Sequence, residues 1–380
     1  MLSKVRSAGY RFILQSPINK VGVSNYMVTG SFKQTRVILL EEERRNLLAR
    51  WVAYELSAFD DFQSITPLKA ISSDASFRKY YRVQGPAGPL IAVDAHPDKE
   101  DNETFINIAH QWRQQGVRVP EVHAFDQDNG FMLMEDFGDI QLHDCLLDER
   151  VDNFYNQAME LSKQIQLLPA TGLPVYDKHL LRFELSLYPQ WFLKSFLGLT
   201  LNDNEDQALN DLFDYLVESA LEQPRVTIHR DFHSRNLMVC DDGKLGVLDF
   251  QGASHGPLLY DLVSLLKDCY HCWPTEKVEQ WLQGFTQTLP QLASINMAQI
   301  QQWFDWIGLQ RHLKCMGIFS RLWLRDKRTN YLDDLPVALD YIVATCKRYS
   351  ELEHHAVWLE KKVVPKLSGR VNDIREGVGV

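Results

Sequence analysis

Past Gly138 the chain reads as one helix after another, and a single β island interrupts the run. Apolar residues recur at helical spacing over about 141–168, 184–197, 203–222, 259–272, 276–288, 297–327 and 335–363. Between the third and fourth of these, Arg225-Val-Thr-Ile228 reads as a strand. Leu237–Cys240 and Leu245–Leu248 read as a hairpin around Asp241-Asp-Gly243. An isolated hairpin is marginal in water, so this one needs the helices packed around it. Whatever it displays is therefore held on a rigid base.

What it displays is polar: Ile228-His229-Arg230-Asp231-Phe232-His233-Ser234-Arg235-Asn236-Leu237, then Val247-Leu248-Asp249-Phe250-Gln251. Asp231 and Asn236 stand at D-x4-N spacing between strands, and Asp249 ends a strand thirteen residues after Asn236. Phosphoryl transfer needs these three parts. One carboxylate, Asp231, orients or deprotonates an attacking hydroxyl, and an amide oxygen and a second carboxylate, Asn236 and Asp249, hold Mg2+ against the phosphates. Asp and Asn are also ordinary turn residues, so the weight rests on the joint pattern.

The first part of the chain has a different texture. A helix is expected over 41–59 and another over about 102–115, which Gly116 stops. Strands are expected at Phe77–Val83, Leu90–Val93, Val122–Phe125 and Phe131–Met134, with turns at Gly85–Pro89 and Asp126–Gly130. With 380 residues, about two compact parts are expected. They are a sheet-plus-helix lobe over 41–137 and a larger helical lobe over 138–365, flanked by an extension at 1–40 and a tail at 366–380. The extension carries six basic residues and no acid, which leaves 34 basic against 50 acidic residues in the rest, a net of -16. Such a segment fits a disordered leader, a transit peptide or a stretch translated from an early start codon.

The run H-x-D-x-H-x-x-N at His229–Asn236, with Asp249 and Asp261 after it, resembles the protein-kinase-like superfamily, and within it the aminoglycoside phosphotransferase and choline kinase branch. His233 stands where protein kinases usually carry a lysine. Asp261, in Gly256-Pro-Leu-Leu-Tyr-Asp-Leu262, follows Asp249 by only twelve residues and leaves no room for a peptide-seating activation loop. The resemblance implies an α+β, two-lobed kinase-like fold with ATP in the cleft and His229 and Asp261 bracing the catalytic loop. Asp261 also suits a helix N-terminus. Leu133-Met-Glu-Asp-Phe137 resembles the hinge that meets adenine, with Met134 and Glu135 as candidates; a strand end and turn is the plainer account. Ile71-Ser-Ser-Asp-Ala-Ser-Phe-Arg78 replaces a Gly-rich loop, and Ser73, Asp74, Ser76 and Arg78 become the phosphate-side candidates. Ile91-Ala-Val-Asp94 puts Asp94 in the position of the usual strand lysine, a substitution that would repel ATP unless the carboxylate turns away or binds metal. Arg78 or Lys99 is then the expected cation.

Three further stretches, Ser72–Arg82, Asp94–Asp101 and Leu309–Phe319, are similar to bacterial kinases that phosphorylate the C1 hydroxyl of N-acetylmuramate and N-acetylglucosamine in peptidoglycan recycling. The likeness spans about 45–340. Arg311, Lys314, Arg321 and Arg325 fall in one quadrant of the helix at 297–327, and Arg311, Lys314 and Arg321 are expected to hold a sugar carboxylate. A solvated face has the same pattern. Other small-molecule kinases of the branch, and a nucleotide-binding pseudokinase scaffold, are the alternative readings.

Composition narrows the field. The net charge of -10 argues against a nucleic-acid surface, and no apolar run reaches the ~18 residues of a membrane span. Six scattered cysteines fit reduced thiols in the cytoplasm, with Cys269 and Cys272 as buried thiols on a helix. The expected partners are ATP and an amino sugar, with no membrane and no obligate protein partner.

Overall fold

The computed structural model describes residues 31–57, 67–71 and 77–377, with side chains from residue 41 onward. The chain divides into two compact units between Leu47 and Leu48, within helix α1 (Ser31–Leu56). Residues 31–40 of the basic leader are therefore helical, and its first thirty residues lie outside the described set.

Five antiparallel strands form the first layer: β1 (Lys69–Ile71), β2 (Lys79–Gly85), β3 (Gly88–Asp94), β4 (Val122–Asp126) and β5 (Phe131–Glu135), in the order β1-β2-β3-β5-β4. The alternation of a strand dictates two opposite faces. On β3 and β5, Ala92, Phe131 and Leu133 turn to Leu48, Val52 and Leu56 of α1. Val93, Met132 and Met134 turn to Phe105, Ile108, Ala109 and Trp112 of α2 (Asn102–Gln114). Asp101 caps α2 by accepting from the Thr104 N–H. Gly130 closes the β4–β5 turn at φ 69°, and a Cβ there would lie 2.0 Å from the Ala95 carbonyl oxygen, so only glycine fits.

The rest is mostly helical: α3 (Val151–Gln166), α4 (Lys178–Leu187) continuing as a π-helical stretch Tyr188–Phe196, and α5 (Asp203–Glu222) precede the β island. The island holds β6 (Arg225–Ile228), β7 (Leu237–Val239), β8 (Leu245–Val247) and β9 (Ser254–Pro257); β7 pairs with β8 and β6 with β9. Then come α6 (Tyr260–Leu266), α7 (Thr275–Thr286), α8 (Met297–Asp326), α9 (Asp334–Arg348), α10 (Glu353–Trp358) and α11 (Val364–Arg375). The helix expected over 259–272 stops at Leu266. Cys269 is buried and Cys272 exposed in the turn after it, not side by side on a helix.

α8 is the axis of this body and is buried along most of its 30 residues. Its Gly317 lets it touch the end of α4, where a Cβ would stand 2.5 Å from the Leu187 carbonyl carbon. Among the described residues no helix is long and apolar enough to cross a membrane.

Candidate active site

The loop between β6 and β7 is organised by backbone donors. Asp261, fully buried at the start of α6, accepts from the His229 N–H at 2.7 Å and the Arg230 N–H at 2.9 Å. These bonds hold Arg230 at φ 78°, a conformation that costs a non-glycine residue on the order of 1–3 kcal/mol. Burial raises the Asp261 pKa, while His229 and the two N–H donors oppose the rise. The His229 ring then spans the loop. Its Nδ1 accepts the Asp231 N–H at 3.3 Å and its Nε2 faces the Leu248 carbonyl at 2.8 Å, which requires the Nε2–H tautomer. Burial lowers the His229 pKa and favours that neutral form.

Asn236 turns its side-chain amide to the Asp231 carbonyl at 2.9 Å and to His233 Nε2 at 3.5 Å, and its backbone carbonyl accepts the Leu248 N–H at 2.9 Å. Its side-chain oxygen is the group left for a cation. Asp249 follows β8 at φ 61°, exposed, with one oxygen accepting from the Gln251 amide at 2.6 Å. An amide oxygen and a carboxylate are the hard donors that Mg2+ takes, so these residues fit the ion chemically. Phe250 points the other way, into the core. It stacks on Phe105 at 4.7 Å and lies 5.9 Å from Trp112, whose ring is 6.1 Å from His229.

Beneath the loop lies a charged network that the sequence reading missed. Glu184 of α4 is 4% exposed and accepts from Arg230 at 2.5 Å, Gln310 at 3.4 Å and the Tyr176 hydroxyl, and pairs with Lys314 at 3.4 Å. Lys314 also donates to the Tyr260 hydroxyl at 3.3 Å. A signal existed: Leu181, Glu184, Leu185 and Tyr188 share one helix face, so an acid stood on an otherwise apolar side. Burial opposes ionisation of Asp231, yet Lys314, His233, Arg230 and Arg311 hold its pKa well below the carboxylate range. It is an anion at neutral pH and a weak base.

The basic stripe on α8 is not a single feature. Arg311 and Lys314 are buried, 3% and 6% exposed, and engaged: Arg311 donates to Cys269 Sγ at 3.5 Å, and Lys314 serves Glu184. Arg321 is half-buried, and the charges acting on it are Arg325 and Asp326 at the far end of the helix. Arg321 therefore stands apart from Arg311 and Lys314, whose charges act on Asp231. The solvated-face reading fails for those two. The helix is enclosed there by α4 and α6, which supply Glu184 and Tyr260.

On the nucleotide side, Arg78 is 1% exposed. Its guanidinium stands 4.7 Å over the Phe105 ring and 3.3 Å from Glu100. Tyr80 beside it is pushed up to about 12, by burial first; Arg78 opposes and Asp249 adds to the rise, so this strand faces Asp249. Lys99 is exposed, over the Phe77 ring at 5.1 Å. Asp94 is buried at the end of β3, opposite Lys79 and Phe131. Met134 is a core residue of β5. Glu135 gives its N–H to the Glu121 carbonyl at 2.9 Å and its carboxylate to Arg113 at 2.8 Å. Ser73, Asp74 and Ser76 lie outside the described residues.

The model of a family described as "Phosphotransferase enzyme family" matches residues 67–296. An N-acetylmuramate/N-acetylglucosamine kinase from Pseudomonas putida is 39% identical over 290 residues, covering 75% of this chain and 85% of the relative. A protein of the same name from Pseudomonas aeruginosa is 38% identical over 305 residues, covering 78% and 90%. Among solved structures, choline kinase LicA from Streptococcus pneumoniae is similar in fold, with a TM-score of 0.53 and 11% identity over 78% of this chain and 98% of that one.

Proposed function

Because the chain belongs to the phosphotransferase enzyme family, we propose that it moves the γ-phosphoryl of ATP to the anomeric C1 hydroxyl of N-acetylmuramate and N-acetylglucosamine. The carrying observation is the loop geometry. One ionised carboxylate, Asp231, is held beside two oxygen donors, Asn236 and Asp249, by the His229 bridge between Asp231 and Leu248. The acceptor sugar is taken from the relatives' names.

In this mechanism Asp231 accepts a hydrogen bond from the C1 hydroxyl and orients it for in-line attack. Its depressed pKa makes it a poor base, and an anomeric hydroxyl is acidic enough for an alcohol to need positioning more than proton abstraction. Asn236 and Asp249 would hold Mg2+, which neutralises phosphate charge when bound. His229 and Asp261 keep the loop in register. Met134 and Glu135 border the adenine end, Glu135 through its carbonyl because its N–H is taken. Ser73, Asp74, Ser76 and Arg78 are the proposed phosphate side, with Arg78 acting from its pair with Glu100. The lobes are 41–137 and 138–365, and the enzyme works in the cytoplasm on small molecules, without nucleic acid, membrane or an obligate partner.

The test is ATP-dependent turnover of both sugars by the wild type and by Asp231→Asn. The expected product is an acid-labile sugar phosphate, with a loss of at least about 100-fold in the variant. A wild type inert on both sugars, or a variant as active as the wild type, refutes the reading.

A further inference from the structure

The catalytic loop carries a guanidinium of its own, and the mechanism above leaves it unused. Arg235 sits between Ser234 and Asn236 and lies flat on Tyr270, its guanidinium carbon 3.6 Å from the ring centroid. Ring stacking of this kind fixes the plane of a guanidinium and leaves its edge donors available. Tyr270 is itself fastened, its N–H given to Asp268 at 3.1 Å. Asp268 is fully buried and also takes the Ser234 N–H at 3.0 Å and hydroxyl at 2.6 Å. Arg235 is thus mounted on a rigid base, with a quarter of its side chain open to solvent.

Its ionic partner is a poor match. Asp334, at the start of α9, lies 3.7 Å away, beyond hydrogen-bond distance. Among the described residues the Arg235 guanidinium makes no hydrogen bond, and the Asp334 oxygen nearest it, though buried, accepts none. Burial pushes the Asp334 carboxyl up to about 6 even though Arg235 opposes the rise. Elsewhere in the fold arginines close proper forks on their acids, as Arg82 does on Asp136 at 2.5 and 3.0 Å. Arg235 and Asp334 leave that geometry unmade.

The place of Arg235 in the loop matters as much as its charge. His233 and Arg235 both lie against Tyr270, the His233 ring edge-on to it at 5.2 Å and within 3.5 Å of the Asn236 amide. Arg235 thus stands in the same loop as the proposed reacting groups, four residues from Asp231.

We infer that Arg235 is the specificity residue that reads the lactyl carboxylate of an N-acetylmuramate-type acceptor, the carboxylate completing the bidentate contact that Asp334 leaves open. This rests on the proposed sugar-kinase reading. It moves carboxylate recognition from α8, where Arg311 is buried against Cys269, to the catalytic loop.

The experiment is steady-state kinetics of the full chain on N-acetylmuramate and on N-acetylglucosamine, which lacks the carboxylate. Arg235→Gln should raise KM for N-acetylmuramate about 10–100-fold, at least ten times its effect on N-acetylglucosamine, and Arg235→Lys should recover part of the loss. Asp334→Asn, which removes the competing acid, should lower KM for N-acetylmuramate several-fold relative to the other sugar. Equal losses on both sugars, or no change on either, overturn the role of Arg235 and leave the kinase reading standing. A wild type that phosphorylates neither sugar overturns both.

Discussion

Replacing Glu184 by glutamine removes the charge between half-buried Arg230 and buried Lys314. In the native fold its carboxylate takes Arg230 at 2.5 Å, Lys314 and Gln310 at 3.4 Å each, and the Tyr176 hydroxyl, in a site where Glu184 is 4% exposed. Glutamine keeps the shape and removes the charge; its amide oxygen can still accept from Arg230 and Lys314, with its N–H turned to the Tyr176 hydroxyl and against the Gln310 amide N–H. Removing one partner of a buried pair costs about 3–5 kcal/mol, and with two cations left uncompensated the upper part of that range applies. Against a total of about 5–15 kcal/mol this is a large fraction. With a urea slope of about 3 kcal/mol/M for a chain of this size, the unfolding midpoint should fall by more than about 1 M. A second substitution, Lys314→Met, should recover about 1–2 kcal/mol in the Glu184→Gln background while destabilising the wild type, a strongly non-additive cycle. The pH dependence has a definite sign. Burial works to raise the Glu184 pKa, but Lys314 and Arg230 prevail and hold it below 4.5. The stabilisation is therefore present above about pH 4.5 and disappears as pH falls through the folded value, so the gap between wild type and variant should close in acid. A midpoint shift below about 0.3 M, or additive single effects, would show that the network carries little energy.

Two other substitutions probe the same architecture. Asp261→Asn leaves one of the His229 and Arg230 N–H groups facing an amide N–H, so we expect a loss of about 2–4 kcal/mol and a fall in kcat as Arg230 relaxes from φ 78°; calorimetry and turnover check it, and unchanged values refute it. Gly317→Ala drives a Cβ to 2.5 Å from the Leu187 carbonyl carbon, which should cost at least about 1–3 kcal/mol in a denaturant melt, whereas alanine in an unobstructed helix would be neutral or stabilising.

The run proposed as catalytic stands out in the sequence because its pattern is local. Asp231, Asn236 and Asp249 are set by spacing along a loop and a hairpin, and apolar flanks marked both hairpin strands. Four of the five sheet strands were legible for a similar reason: the apolar run Phe131–Met134 between turn residues shows in the residues themselves, and the structure extends it by one, while β1 (Lys69–Ile71) was not foreseen. What escaped depends on distant partners. Ser254-His-Gly-Pro257 has no strand character and becomes β9 only because Arg225–Ile228 lies alongside. The helix begun at Tyr260 ends early, since Asp268 is drawn off to hold Ser234 and Tyr270. The spacing of Arg311 and Lys314 suits a carboxylate-holding row or a solvated face, and the burial of Lys314 depends on Glu184 and Tyr260, well over forty residues away in sequence.

The aromatic contacts from Phe105 through Phe250 and Trp112 to His229 have a mechanical consequence. α2 belongs to the sheet by sequence order, yet its rings are clamped onto the body that carries Asp231. Prising it off would forfeit three ring pairs, each worth about 0.5–1.5 kcal/mol beyond the area exposed. A swing of the whole sheet away from this body carries that cost. The stiff joint lies beside the loop that carries Asp231.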